Sequence, residues 1–435
     1  MINRKIIFFL FLGVAALFIS YHLILRPFLY LFNKDVKRYV LENTEPITSI
    51  NPDNLEFQDL EPLRKSIGDS RVVLLGEQDH GDAATFLAKT RLIKFLHQSL
   101  NFDVLVFESD FYGLNYSSDN LKANPVESGH RFVDNIYPNW GYCNSCKPLL
   151  DYINDNQGTS NELAVSGIDP RHMLKCSREH YLDDLKTLIQ ESEVGIAPAK
   201  LSQFYKTVET VLREEFSSDI VEDQLTTFYE VLKMVKSNVT GNAFWKQEMQ
   251  NLEGFVKHSL DRSSSNNVRD VQMGKNLLWL LNEKYKDKKV MVWAASFHIL
   301  KDFSVIKKLN LRLSNPDTIN TGSYVYEKLK DEMYVLGVTS YSGNAGRLGQ
   351  QGFEIIEPQI NFFESWVYET SHPYAFIDFT HVPKDMRKEI FFMKALIHNP
   401  IRANWFSMFD GIIYIEKMFR CEIIELEEKE KNTDN

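Results

Sequence analysis

Few folds accommodate the stretch from Arg71 to Phe111. Val72–Leu75 is a short apolar run rich in β-branched residues, the pattern of a strand buried on both faces. Gly76 interrupts it, Glu77 and His80 follow on the turn, and Asp82 stands where a helix N-cap is expected. From Ala83 to Leu100 the apolar residues Phe86, Leu87, Ile93, Leu96 and Leu100 recur at helical spacing. Asn101-Phe102-Asp103 ends that helix, and Val104–Phe107 reads as a second buried strand running into Glu108. The whole is one β-α-β unit. Its right-handed crossover makes the two strands parallel, so Glu77, His80 and Glu108 leave the sheet at the same edge.

The rest of the chain repeats this pattern. Glu162–Ile168 reads as a strand ending at Asp169-Pro170-Arg171, and Lys289–Ala294 as another ending at Ala295-Ser296-Phe297-His298. Tyr334–Val338 and Ala375–Phe379 read as two more, the last leading into Thr380 and His381. The fold class is therefore α/β, a mostly parallel sheet flanked by helices. Tyr112–His130 reads as a long loop, Lys147–Asn156 as a helix, and residues 180–262 as a helical insertion, a lid or wall over the sheet. A second long helix is predicted over Val268–Tyr285. Residues 33–70 form a connector, residues 71–420 the main domain and residues 421–435 a charged tail.

Arg4 and Lys5 precede Ile6–Leu25, a stretch with few polar interruptions. At about 1.5 Å per helical residue it spans a hydrocarbon core of roughly 30 Å. Bulky Phe28, Tyr30, Leu31 and Phe32 follow where a cleavage site would need small residues. Residues 1–32 are thus expected to be a retained membrane anchor that holds the body of a single-pass protein outside the cytoplasm. The formal charge of −10 over 435 residues argues against nucleic acid as a partner, because phosphate binding needs a basic face. Four cysteines are too few for a disulfide scaffold. Cys143 and Cys146 do not follow a strand, as a redox pair would, so a disulfide within that pair or to Cys176 is expected.

A histidine on a strand-to-helix turn suits a general base, since its ordinary pKa lies near neutrality, and a neighbouring carboxylate can orient it. His80 is the candidate base, with Glu77, Glu108 and His298 arriving at the same edge. Lys89 and Arg91 on the first helix are candidate supporting or substrate-binding groups, Lys89 to neutralise Glu77 or Glu108 or to bind an anionic intermediate. Asp169 could orient a histidine. The two histidines and two glutamates could in principle hold a divalent ion, but no close ligand spacing such as His-x-x-x-His accompanies them. There is no Gly-x-Ser-x-Gly elbow and no phosphate loop, so water is the expected nucleophile, with neither metal nor cofactor.

These residues also carry a resemblance. Gly76-Glu77-x-x-His80-Gly81, Lys89 nine residues on, and a strand ending in Glu108 resemble the N-terminal signature of the erythromycin esterase family. Trp140, Gly167-Ile168-Asp169, Arg269-Asp270-x-x-Met273-x-x-Asn276-x-x-Trp279, Val292-Trp293-Ala294 leading to His298, Gly322, and Tyr334-x-x-Gly337 follow in the family's order. The resemblance implies hydrolysis of a small-molecule ester without a metal, with His80 as base on water, Glu77, Glu108 and Lys89 in support, and His298 as the second histidine of the family's Trp-Ala-His-Asn-x-His segment. The first histidine of that segment is Ala295 here, and the glutamate the family often carries four residues after its base is Ala84. These departures keep two alternatives open: a catalytically silent member that binds an envelope ligand, and a metal-dependent hydrolase.

Overall fold

Every central strand buries both of its faces, and this fixes the layering of the molecule. A computed structural model describes residues 33–116, 132–213, 220–239, 241–260, 265–304 and 319–424. Its strands are β1 (Thr44–Pro46), β2 (Val72–Leu75), β3 (Val104–Asp110), β4 (Ala164–Asp169), β5 (Val290–Trp293), β6 (Met333–Ala345), β7 (Phe353–Ile355), β8 (Tyr374–Asp378), β9 (Phe391–Leu396), β10 (Asn399–Ala403) and β11 (Gly411–Met418). The main sheet runs β1-β8-β11-β6-β2-β5-β3-β4, with β7 paired to the far part of β6. From β11 to β4 all neighbours are parallel, while β8 runs antiparallel to both β11 and β1.

Alternate residues of each parallel strand enter different cores, as a period of two requires. Val73, Leu75, Leu105, Phe107, Met291 and Trp293 pack beneath the helix Ala83–Leu100 and its neighbour Lys147–Asn156. Val72, Leu74, Val104, Val106, Val290 and Val292 face the other layer. There the helix Ser265–Trp279 contributes Met273 and Leu277, and the helix Lys34–Glu42 contributes Val36 and Val40. The connector is therefore part of the fold, because β1 within it extends the sheet.

The helical insertion consists of Lys175–Glu191, Pro198–Arg213, Glu222–Asn238 and Ala243–Leu260, and it has a core of its own around Tyr112, Phe204, Phe228 and Phe255. Ala243–Leu260 packs on Ser265–Trp279, which ties the insertion to the sheet. All six strands expected from the sequence are present. The antiparallel sense of β8 puts Thr380 and His381 at the opposite edge from His80, where they bond to Asp378. The stretch expected as loop from Tyr112 begins instead in a short helix over residues 111–116, and residues 117–130 lie outside the described residues. So do the anchor stretch and the tail from Glu425. Among the described residues no helix is long and apolar enough to cross a membrane.

Candidate active site

Glu77 is the first residue past β2 to present a charge, and it is fully buried. Its Oε1 accepts from Trp140 Nε1 at 3.0 Å and lies 2.8 Å from His80 Nδ1. Its Oε2 accepts from Lys89 Nζ at 2.8 Å. Lys89 also sits 3.9 Å from the centroid of the Trp293 ring, a cation–π contact under the carboxylate. Burial pulls the Lys89 pKa down, and Glu77 opposes that pull. With Nδ1 engaged, His80 keeps Nε2 free of hydrogen bonds to the described residues. The ring stands edge-on to Trp140, partly open to solvent. Of the two glutamates considered for Lys89, the structure pairs it with Glu77. At 1% exposure its ammonium is too deep to meet an intermediate directly.

Glu108 comes from β3 through a local irregularity. Between Phe107 and Asp110 the pairing with β4 slips, with one more residue on β3 than on its partner. Such a bulge re-aims a side chain. Gly167 makes room for it: a Cβ there would stand 2.4 Å from Asp110 O and 2.6 Å from Ser109 O. Glu108 Oε1 accepts from Arg269 Nη2 at 2.7 Å, and Oε2 accepts from the Ala295 amide at 3.0 Å. Burial pushes its pKa up, but His298, Arg269 and more weakly His80 outweigh it and hold the carboxyl at about 2.

His298 completes the second cluster. Its Nδ1 lies 2.8 Å from Asp270 Oδ1, which also accepts from the Thr321 amide at 3.0 Å and the Thr321 hydroxyl at 2.8 Å. Its Nε2 lies 3.2 Å from both Arg269 Nη1 and Glu108 Oε1. A neutral ring would accept from the arginine there, and a charged ring would donate to the glutamate. Burial lowers the His298 pKa, yet Asp270 and Glu108 prevail and the net shift is upward, favouring the charged ring.

Four expectations are corrected. Arg91 does not reach the site. It is buried on the other side of its helix, where it binds Asp59 and accepts no substrate-facing role, its remaining N–H groups donating to the carbonyls of Ser49, Asn54 and Glu56. Spacing alone could not separate the two faces, because Lys89 and Arg91 are two residues apart and point about 200° around the helix from each other. Asp169 orients no histidine; both Arg269 and Arg171 hold its carboxylate, and they press its pKa far below the ordinary range against the opposing effect of burial. Asp82 occupies the N-cap position but makes no side-chain cap; it binds the Asp79 amide and His398. The disulfide joins Cys143 to Cys421, with Cα atoms 5.6 Å apart, leaving Cys146 and Cys176 as buried thiols. Burial raises both thiol pKa values, Cys176 to about 12, so neither has thiolate character. The Cys143–Cys421 bridge and the bond from Ile424 N to Tyr142 O hold the chain to the body through Ile424.

Arg269, Asp270, Arg171 and Trp140 were not singled out as site residues from the sequence. The available signal was the Arg-Asp pair on the predicted second long helix, which that helix places over the ends of β4 and β5. Among the described residues no group of three or more His, Cys, Asp and Glu side chains is arranged to hold a metal ion. The glutamates that could serve as ligands are instead matched to Lys89 and Arg269. The arrangement can do proton transfer at His80, beside a field of fixed charges around Glu108.

The sequence profile described as "Erythromycin esterase" matches residues 97–418. YbfO of Bacillus subtilis (strain 168), whose name proposes a hydrolase, is 25% identical and aligns over 89% of this chain and 92% of its own length. The Escherichia coli erythromycin esterase type II is 23% identical over 89% of this chain and 99% of its own. Among solved structures, a succinoglycan biosynthesis protein superposes with a TM-score of 0.73 at 18% identity, over 90% of this chain and 98% of its own. A mutant erythromycin esterase in its open conformation gives 0.62 at 14% identity, over 88% and 99%. The profile match spans well over half of the sequence, and the chain belongs to the erythromycin esterase family.

Proposed function

We propose that this protein is a membrane-anchored, extracytoplasmic hydrolase that cleaves an ester or related bond with a water molecule activated by His80, without a metal. The observation that carries the reading is the Glu77 cluster: Lys89 and Trp140 hold the Glu77 side chain in place, and Glu77 holds His80 by Nδ1, leaving Nε2 without a hydrogen bond to the described residues. In the step this supports, Nε2 takes a proton from water as the water oxygen bonds to the ester carbonyl carbon. Collapse of the tetrahedral intermediate breaks the bond to the alcohol oxygen, which recovers the proton from the imidazolium. One water is consumed, and an acid and an alcohol are released. The relative named as an erythromycin esterase supports an ester as the substrate class.

The location rests on two features. Ile6–Leu25 has the length and apolarity of a membrane span. The Cys143–Cys421 bridge suits an oxidising compartment. The test is turnover of a panel of simple esters and macrolactones by the full-length protein and by His80→Ala, each with and without chelator. Loss of the imidazole is expected to lower the rate by about 10²–10⁴-fold while chelator changes nothing. Full turnover by His80→Ala would overturn the mechanism. Ala295, where the family has a histidine, favours a second reading: a member that binds an envelope ligand without cleaving it. Tight binding with no turnover in the wild type, unchanged in His80→Ala, would favour that reading instead.

A further inference from the structure

The segment from Gly76 to Asp82 carries His80, and it is gripped from outside by a hairpin turn 316 residues away in sequence. That turn joins β9 to β10. Its two central residues, Ile397 and His398, both have left-handed backbones, with φ of 44° and 53°. Such two-residue turns favour Asn-Gly, and a β-branched residue in this region is an outlier. Strained non-glycine conformations persist where surrounding contacts hold them, and they gather at functional sites.

Several contacts at this turn lead toward His80. The Ile397 amide donates to Gln78 O at 3.0 Å, and Gln78 Nε2 donates to Lys394 O at 2.6 Å. His398 Nε2 lies 2.9 Å from Asp82 Oδ1 and 3.1 Å from Oδ2, with both residues buried. The His398 Nδ1 is 3.3 Å from Ser340 Oγ. Asp82 Oδ2 accepts from the Asp79 amide at 2.9 Å. Asp79 Oδ1 in turn accepts from the His80 amide at 2.9 Å and from Arg347 Nε at 2.7 Å. Two aspartates thus relay the position of the His398 ring to the backbone of His80.

We propose that His398 is a positioning residue for the hydrolytic site. Through Asp82 and Asp79 it fixes the backbone that carries His80, and the left-handed turn is retained because it delivers the His398 ring onto Asp82. This rests on the reading of His80 as the base, but its first readout does not need turnover. In full-length protein with labelled histidine, the His80 ring resonance is assigned by its loss in His80→Gln and followed in four variants.

His398→Leu is expected to move that resonance and, on an ester the wild type cleaves, to lower kcat by about 100-fold with KM little changed, as misplacement of a reacting group does. His398→Gln, which keeps an N–H donor near the Nε2 position, is expected to restore most of both. Ile397→Asn, which keeps every hydrogen bond of the turn, is expected to leave both at wild-type values. Asp82→Asn, of the same size as the native residue, reports the same link should leucine at 398 fail to fold. The proposal is overturned if the His80 resonance stays in place in folded His398→Leu or Asp82→Asn, or if His398→Gln is as impaired as His398→Leu. Should His80→Ala keep full turnover while His398→Leu moves the His80 ring, the catalytic reading fails and the positioning link stands.

Discussion

Charge at this site is placed by pairing rather than by solvent. Lys89 and Glu77 are 1% and 0% exposed, so each depends on the other. Removing one partner of such a pair strands a buried charge and costs about 3–5 kcal/mol. Lys89→Met is expected to lose that much in urea unfolding at neutral pH, and an unchanged midpoint would show that the pair does not stabilise the fold. Glu108 gives a pH prediction. Its folded pKa of about 2 lies below its usual 4.5, so the unfolded chain binds its proton first as pH falls. Its contribution to stability is present above about pH 4.5 and is lost as pH falls toward 2. Wild type should lose stability through that window, and Glu108→Gln should show a shallower acid limb in the same titration. Removal of the His80 imidazole remains the direct test of the chemistry.

Elements matter here for the edge at which they end. β2, β3, β4 and β5 run parallel and finish together, so Glu77, Glu108, Asp169 and the Ala295–His298 turn meet although they are far apart in sequence. The helix Ser265–Trp279 then supplies Arg269 and Asp270 across that edge. A second brace crosses the β2 turn. Ala83 N donates to Phe419 O and Cys421 N donates to Gly81 O, so the chain after β11 lies directly on the His80 loop. The loop after β6 presses on the same turn, and only glycine fits at Gly81, since a Cβ there would stand 2.1 Å from Gly346 O. The Cys143–Cys421 bridge closes the same region from the Trp140 side, across a sequence separation of 278. Cys143→Ser is expected to cost about 2–5 kcal/mol, read as a lower unfolding midpoint under non-reducing conditions. Wild type treated with reductant should fall to the same value.

For the molecule as a whole, three layers stack in order, helices, sheet, helices, with one core on each face of the sheet, and the insertion packs to one side around its own aromatic centre. The proposed anchor makes a prediction at this scale. Full-length protein should stay with membranes through alkaline carbonate washing, and a version lacking Ile6–Leu25 should be released. Release of both would remove the anchor from the account.

The sequence by itself determined the β-α-β unit, the six strands read from apolar runs, the helical insertion, and the meeting of Glu77, His80, Glu108 and His298 at one edge. Those features follow from local periodicity and from the handedness of the crossover, which act within short stretches of chain. Only the tertiary structure decided which partners those residues take. Arg91 and Lys89 read alike in sequence, yet one clamps the connector and the other lies under Glu77. Asp169 went to two arginines, Cys143 to a cysteine far along the chain, and Asp82 to His398. β11 and the β9–β10 hairpin, which no periodic signal in the sequence announced, supplied the last two of these contacts. A buried charge or thiol takes the partner that the packing of distant elements brings within reach, and no local pattern encodes that distance.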